Sequence, residues 1–200
     1  MALLYYYVSY GNCFMFNQTL DIINSRRSHR AYKADKISDE ILNDVLQSAL
    51  ASPSAMNLQP WHFSLVTDIN LINEINSAGC EYIRSSGDKA AIERMEKRNW
   101  DIFYKAPAVI FISSDTTAKW HFLDAGIAVQ NIALAAESLG LGSVIIGMID
   151  CAFLTDKGPI LEKKLQFPDG YKFSIAIALG YPDDDKPSHN IDQDKISIIK

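Results

Sequence analysis

Three arginines, a serine and a histidine fall in one run, Arg26-Arg27-Ser28-His29-Arg30. A guanidinium offers a planar fork of donors that matches phosphate oxygens, often bidentately. Two or three of them beside a hydroxyl suit a phosphate group. Alone, such a run is more often a solvated face, or a helix C-terminus satisfied by cations. A second run, Pro53-Ser54-Ala55-Met56-Asn57-Leu58-Gln59-Pro60-Trp61, gathers Ser54, Asn57 and Gln59 between two stiffening prolines. Neutral donors and acceptors of this kind suit a polyol chain or the edge of a heteroaromatic ring; standing alone, a capped helix end and a turn would account for them. A third run, from Gly140 to Gly147, is apolar at Val144, Ile145 and Ile146. It reads as a core strand whose final glycine marks a bulge or a close approach to something flat. The fourth, Leu179-Gly180-Tyr181-Pro182 followed by Asp183, Asp184, Asp185 and Lys186, reads as a strand end with a solvated acidic loop.

Other chemistries lack their residues. No G-x-G-x-x-G follows a strand, and there is no Walker lysine loop and no G-x-S-x-G. A bound phosphate would therefore be held by side chains. Cys13, Cys80 and Cys151 stand far apart, as do His29, His62, His121 and His189. That scatter argues against a disulfide framework and a metal centre, and fits a reducing compartment. With 19 basic and 24 acidic residues the net charge is -5, which gives no global drive toward nucleic acid. A local basic site remains open.

These runs need elements to position them. Helices are predicted over 17–25, from Ser38 to a stop at Pro53, over 70–77, 88–100, 119–138 and 158–165. Ser38 is the N-cap of the second, with Asp39 and Glu40 in its first turn, and Gly140 caps the long apolar helix. Strands are predicted at Trp61–Val66, Ala108–Ile112, Ser143–Ile149 and Phe173–Leu179. Two helices precede the first strand, so the layout is mixed α/β without strict βαβ alternation. A sheet covered by helices on both faces buries that much apolar surface. Residues 1–16 read as an N-terminal extension, 17–190 as one domain and 191–200 as a tail. Residues 1–20 carry no charge but are too often interrupted by polar residues for a membrane span, and lack a signal peptide's basic start. They read as an arm, or as a product of start-site choice with Met15 the natural start.

Taken in order, the four runs resemble the FMN-dependent nitroreductase family, from about Asn17 to Lys186. The strongest matches are R-R-S-x-R at Arg26–Arg30 and P-S-x-x-N-x-Q-P-W at Pro53–Trp61. Asp124-Ala-Gly-Ile-Ala-Val-Gln130-Asn131, Leu139-Gly-Leu-Gly142 and Gly180-Tyr181-Pro182 add to them. The resemblance implies an α+β three-layer sandwich with a mixed, mainly antiparallel sheet, forming an intertwined homodimer with FMN at the subunit interface. It places Arg26, Ser28 and Arg30 on the FMN phosphate, with Arg27 nearby and Lys186 approaching from the C-terminal side. Pro53, Ser54, Asn57 and Gln59 reach the flavin from the partner subunit. Ile145, Ile146, Gly147 and the Met148 amide line the ring. One departure is His189, which stands where many members carry an arginine.

The implied activity is a ping-pong reduction of nitroaromatics, quinones or similar acceptors by NADH or NADPH through the flavin. It needs no catalytic side chain, no metal, no nucleic acid and no membrane, and suits the cytoplasm. Other readings stay open: dehalogenation or alkene reduction on the same scaffold, a flavin-binding module without turnover, or a basic-patch binding protein. Cys151, near the ring-lining strand, reads as a small buried hydrophobe.

Overall fold

The computed structural model describes residues 17–200, together with the backbone of a short antiparallel pair, β1 (Val8–Ser9) and β2 (Asn12–Cys13). The rest of the expected N-terminal extension lies outside the described residues. Four further strands, β3 (Trp61–Val66), β4 (Ala108–Asp115), β5 (Gly142–Ile146) and β6 (Tyr171–Gly180), form one sheet in the order β3-β4-β6-β5. Every neighbouring pair in it is antiparallel. Among the described residues the one parallel contact is a bridge from Ser28 to Ser143 at the outer edge of β5.

Alternation along the central strands divides the core in two. Val109, Phe111, Ala176 and Ala178 face one side, packed under α3 (Ile69–Ser85), α4 (Lys89–Glu96), α6 (Asp150–Phe153) and α7 (Gly158–Lys164). Ala108, Ile110, Ile112, Ile177 and Leu179 face the other, under α2 (Asp39–Leu50) and α5 (His121–Ser138). Both faces are covered, so the molecule is a helix–sheet–helix sandwich. The helix α1 (Gln18–Ser25) buries none of its residues in this chain.

Local chemistry sets the element ends. The Ser38 hydroxyl accepts from the Ile41 N–H at 3.3 Å and starts α2. Ala125, Ala128, Ala133 and Ala136 let α5 lie close on the sheet. It stops where Gly140 turns to φ +76°, with the Leu141 N–H donating to the Ala136 carbonyl and the Gly140 N–H to Glu137.

Two helices differ from their expected lengths. α3 runs on past residue 77 through Ala78, Gly79, Cys80 and Ile83, all buried. Gly79 costs helix propensity, but a Cβ there would meet Ile102 Cδ1 at 2.9 Å and Ile149 Cδ1 at 3.0 Å, so packing decides. α4 ends at Glu96 instead of 100. The chain then passes through a loop in which Asn99, Trp100, Tyr104 and Lys105 all have positive φ. The strand predicted to run to Ile149 ends at Ile146, and the chain turns into α6, where no helix is predicted.

Candidate functional site

The arginine run leaves α1 and lies along the edge of β5. The His29 N–H donates to the Ser143 carbonyl at 3.0 Å, the Lys33 N–H to Tyr181 at 2.9 Å, and the Asp183 N–H to Ala31 at 3.0 Å. Close approach is required at both ends of the strip. A Cβ on Gly142 would stand 2.9 Å from His29 Cγ, and one on Gly180 would stand 2.7 Å from Tyr32 Cδ1. The glycines noticed in the third and fourth runs thus make room for the arginine run. Gly142→Ala is expected to displace His29 and to cost about 1–3 kcal/mol, as overpacking does. Thermal unfolding of that variant checks it.

Asp184 ties the strip down. Its Oδ1 lies 2.6 Å from His29 Nδ1, and its Oδ2 accepts from the Arg30 N–H at 3.0 Å and from Lys186 Nζ at 3.1 Å. Burial alone would raise its pKa. The bonds from Arg30, His29 and Lys186 outweigh that and hold the carboxyl below the usual range. A depressed folded pKa contributes stability above the unfolded value and loses it as pH falls through the folded one. The Tm gap between wild type and Asp184→Asn is therefore expected to be widest at neutral pH. It should close as the pH drops below about 4.

The strip runs into a cleft of about 180 Å³ lined by Arg30, Arg98, Ile102, Tyr104 and the stretch from Val144 to Met148. Val144 and Ile146 point into the core, while Ile145 is 40% exposed beside the cations. One Arg98 nitrogen lies 3.3 Å from Met148 Sδ, and its guanidinium sits over the Tyr104 ring at 5.3 Å. A flat apolar ledge flanked by guanidiniums suits a planar anionic ligand. Lys186 meets the strip through Asp184. Arg27 is committed elsewhere: its guanidinium donates to the Asn24 and Arg26 carbonyls and to the Ser188 hydroxyl, while its buried Nε has no partner. His189 is exposed. Cys151 is 7% exposed, and burial, then the Asp150 charge, pushes its thiol up to about 11, so it is no thiolate at neutral pH.

The second run lies across the sheet from this cleft. It precedes β3, at the opposite edge of the sheet from β5, and at the end marked by the Trp61–Ser114 and Ser114–Lys172 pairs. Ser28 stands at the other end, where Ser143, Leu179 and Ala108 align. The loop is built with care. Met56, Asn57 and Gln59 all have positive φ, which persists only where surroundings enforce it. The Ser54 hydroxyl accepts from the Gln59 N–H at 2.9 Å, and Gln59 donates to Asn57 Oδ1 at 3.1 Å. α5 anchors it: the buried Asp124 accepts from the Ala55 N–H at 3.2 Å, and Asn131 donates to the Ser52 hydroxyl at 2.9 Å. Pro53 and Ser54 line an open cleft of about 290 Å³ with Trp120 and Leu123.

Residues 23–181 match the nitroreductase family. The chain belongs to the nitroreductase family. A crystal structure of a nitroreductase with bound FMN from Desulfitobacterium hafniense superposes with a TM-score of 0.89 at 35% identity, covering 93% of this chain and 100% of that one. The NADPH-flavin oxidoreductase of Vibrio harveyi is 32% identical over 84% of this chain and 67% of its own length. The iodotyrosine deiodinase of Thermotoga neapolitana is 29% identical over 84% of this chain and 91% of its own.

As a nitroreductase-family chain it holds two residues at the cleft that the motifs did not reveal, Arg98 and Tyr104. They stand in the loop after α4, where no motif or periodicity marks them. The surplus of charge in 88–100 was the only available signal. Among the described residues no helix is long and apolar enough to cross a membrane.

Proposed function

We propose that this protein is an FMN-dependent oxidoreductase that uses NADH or NADPH to reduce electron-poor acceptors such as nitroaromatics or quinones, acting as a homodimer. The observation that carries the reading is the cationic strip Arg26–Arg30 running into an apolar ledge at Ile145 between Arg30 and Arg98. Those residues fit FMN, with side-chain cations for a phosphate and a flat exposed strand for a ring. When bound, FMN supplies the hydride chemistry. Arg26, Ser28 and Lys186 bind the phosphate end. Ile145, the Ile146 backbone, Gly147 and Met148 orient the ring, the Ile146 side chain being turned into the core. Arg30, which the resemblance assigns to the phosphate, lines the cleft with Arg98, and the two put positive charge beside the ring, where negative charge accumulates on reduction. No side chain is needed as acid or base.

The opposite placement of the two runs supports the homodimer. Pro53, Ser54, Asn57 and Gln59 precede one edge strand of the sheet and the strip lies along the other, so a two-fold axis that sets one chain's loop against its partner's strip brings both to one FMN. The exposed apolar surface agrees. α1 exposes Leu20 and Ile23, α5 begins with exposed Phe122 and Leu123 after Trp120, and the loop exposes Met56 at 87%. The tail adds Ile191, Ile196, Ile198 and Ile199. A lone soluble chain rarely leaves so much apolar surface uncovered.

The deiodinase relative favours a second acceptor class, halogenated phenols, served by the same flavin. The test is oxidation of NADH and NADPH by the FMN-loaded protein with a panel of nitroaromatics, quinones and iodotyrosine. Turnover with nitroaromatics or quinones is expected. Turnover with iodotyrosine alone would move the assignment to dehalogenation, and bound FMN without turnover would leave a flavin-binding module.

A further inference from the structure

A second cleft of about 370 Å³ adjoins the first and shares Arg30, Arg98 and Tyr104 with it; Lys97, Asp101 and Lys105 complete its charged lining. Four of these side chains are cations and one is an anion. Asp101 is already engaged, its Oδ1 accepting from the Phe103 N–H at 3.0 Å and its Oδ2 from the Lys105 N–H at 2.9 Å. Among the described residues, no carboxylate pairs with Arg30, Lys97, Arg98 or Lys105. Surface lysines are commonly solvated singly. Four unpaired cations around one concavity build a focused positive potential.

The loop that carries three of them is built and held. Its left-handed residues, Asn99, Trp100, Tyr104 and Lys105, are an unusual concentration of strain. Asn76 clamps it from α3, donating to the Trp100 carbonyl at 3.0 Å and accepting from the Ile102 N–H at 2.8 Å. Arg84 stacks on the Trp100 ring at 3.9 Å. Lys105 joins this scaffolding through its backbone alone; Lys97 and Lys105 are exposed, and among the described residues neither side chain makes a hydrogen bond or ion pair within it.

We infer that this cleft is a subsite for an anionic substituent, a carboxylate or a phosphate ester, on the molecule that exchanges electrons at the neighbouring ring site. Lys97 and Lys105 are its specificity-determining side chains. The inference rests on the flavoenzyme reading above. The anion we assign to this cleft is one of two: a carboxylate on an acidic acceptor, or the 2′-phosphate that NADPH carries beyond the diphosphate it shares with NADH. Both present the same chemistry to a lysine pair.

The test is the double variant Lys97→Gln/Lys105→Gln. Two ratios of kcat/KM are measured: 4-nitrobenzoate over 4-nitrobenzamide with NADH, and NADPH over NADH with 4-nitrobenzamide. One ratio is expected to fall about tenfold, the scale of a charge-assisted hydrogen bond in partial solvent, and to fall less at high salt. Rates with NADH and 4-nitrobenzamide stay unchanged. A fall in the first ratio assigns the anion to the acceptor; a fall in the second assigns it to the donor. Calorimetric titration of 4-nitrobenzoate and 2′,5′-ADP into FMN-loaded and flavin-free protein gives a readout independent of turnover. Weaker binding of either anion by the variant is expected. Unchanged ratios and unchanged anion binding overturn the subsite. Failure of the wild type to take up FMN would sink the flavoenzyme reading instead, while the titrations on flavin-free protein still decide whether the cleft binds anions.

Discussion

Arg26→Ala and Arg30→Ala are each expected to weaken FMN binding by about 1–3 kcal/mol, roughly 5- to 150-fold in Kd, the loss of one charged hydrogen-bonding group. Neither guanidinium has a carboxylate partner among the described residues, so each is available to a ligand. Arg27 is the internal control. Its donors already serve two carbonyls and the Ser188 hydroxyl, so Arg27→Ala should lower Tm more than it lowers FMN affinity. Fluorescence titration of flavin-free protein with FMN reads the affinities. Lysine at position 26 keeps the charge but loses the planar fork, and should fall between alanine and wild type. Unchanged affinity in both alanine variants would end the phosphate-and-ring assignment.

The second large effect is complementation between two defective chains. Arg26→Ala/Arg30→Ala disables the strip, and Ser54→Phe/Asn57→Ala disables the loop diagonally across the sheet. If each FMN site takes its strip from one chain and its loop from the other, a mixed dimer holds one intact site and one doubly defective site. Random mixing makes about half the dimers mixed, so about a quarter of all sites should regain FMN, as two-fold symmetry requires. Co-expression with two affinity tags, followed by FMN quantification, measures it. FMN content no higher than in the two variants apart would mean that one chain supplies the whole site.

Much of this was legible from residues alone, for physical reasons. Trp61–Val66 alternates and stands between punctuating residues, and the strand occupies those positions. Ser38 with Asp39 and Glu40 marks the start of α2, and the cap hydrogen bond is there. The R-R-S-x-R and P-S-x-x-N runs stand out because they concentrate donors within a few residues. Other features depend on distant packing. Gly79 belongs inside α3 only because Ile102 and Ile149 press on it. Gly142 and Gly180 read as turn or strand-end residues, yet they admit His29 and Tyr32. Arg98 and Tyr104 are brought to the cleft by left-handed backbone that no periodicity encodes. Asp184, one of three consecutive aspartates, looks solvated in sequence and proves to be the anchor of the strip.

The most direct test of the central claim is the visible absorption spectrum of the purified protein across a size-exclusion peak of measured mass. A dimer carrying about one FMN per chain is the expected result, since symmetric interface sites come in equal number with the chains. A colourless protein that takes up no added FMN, or a monomer holding its full complement, would contradict it.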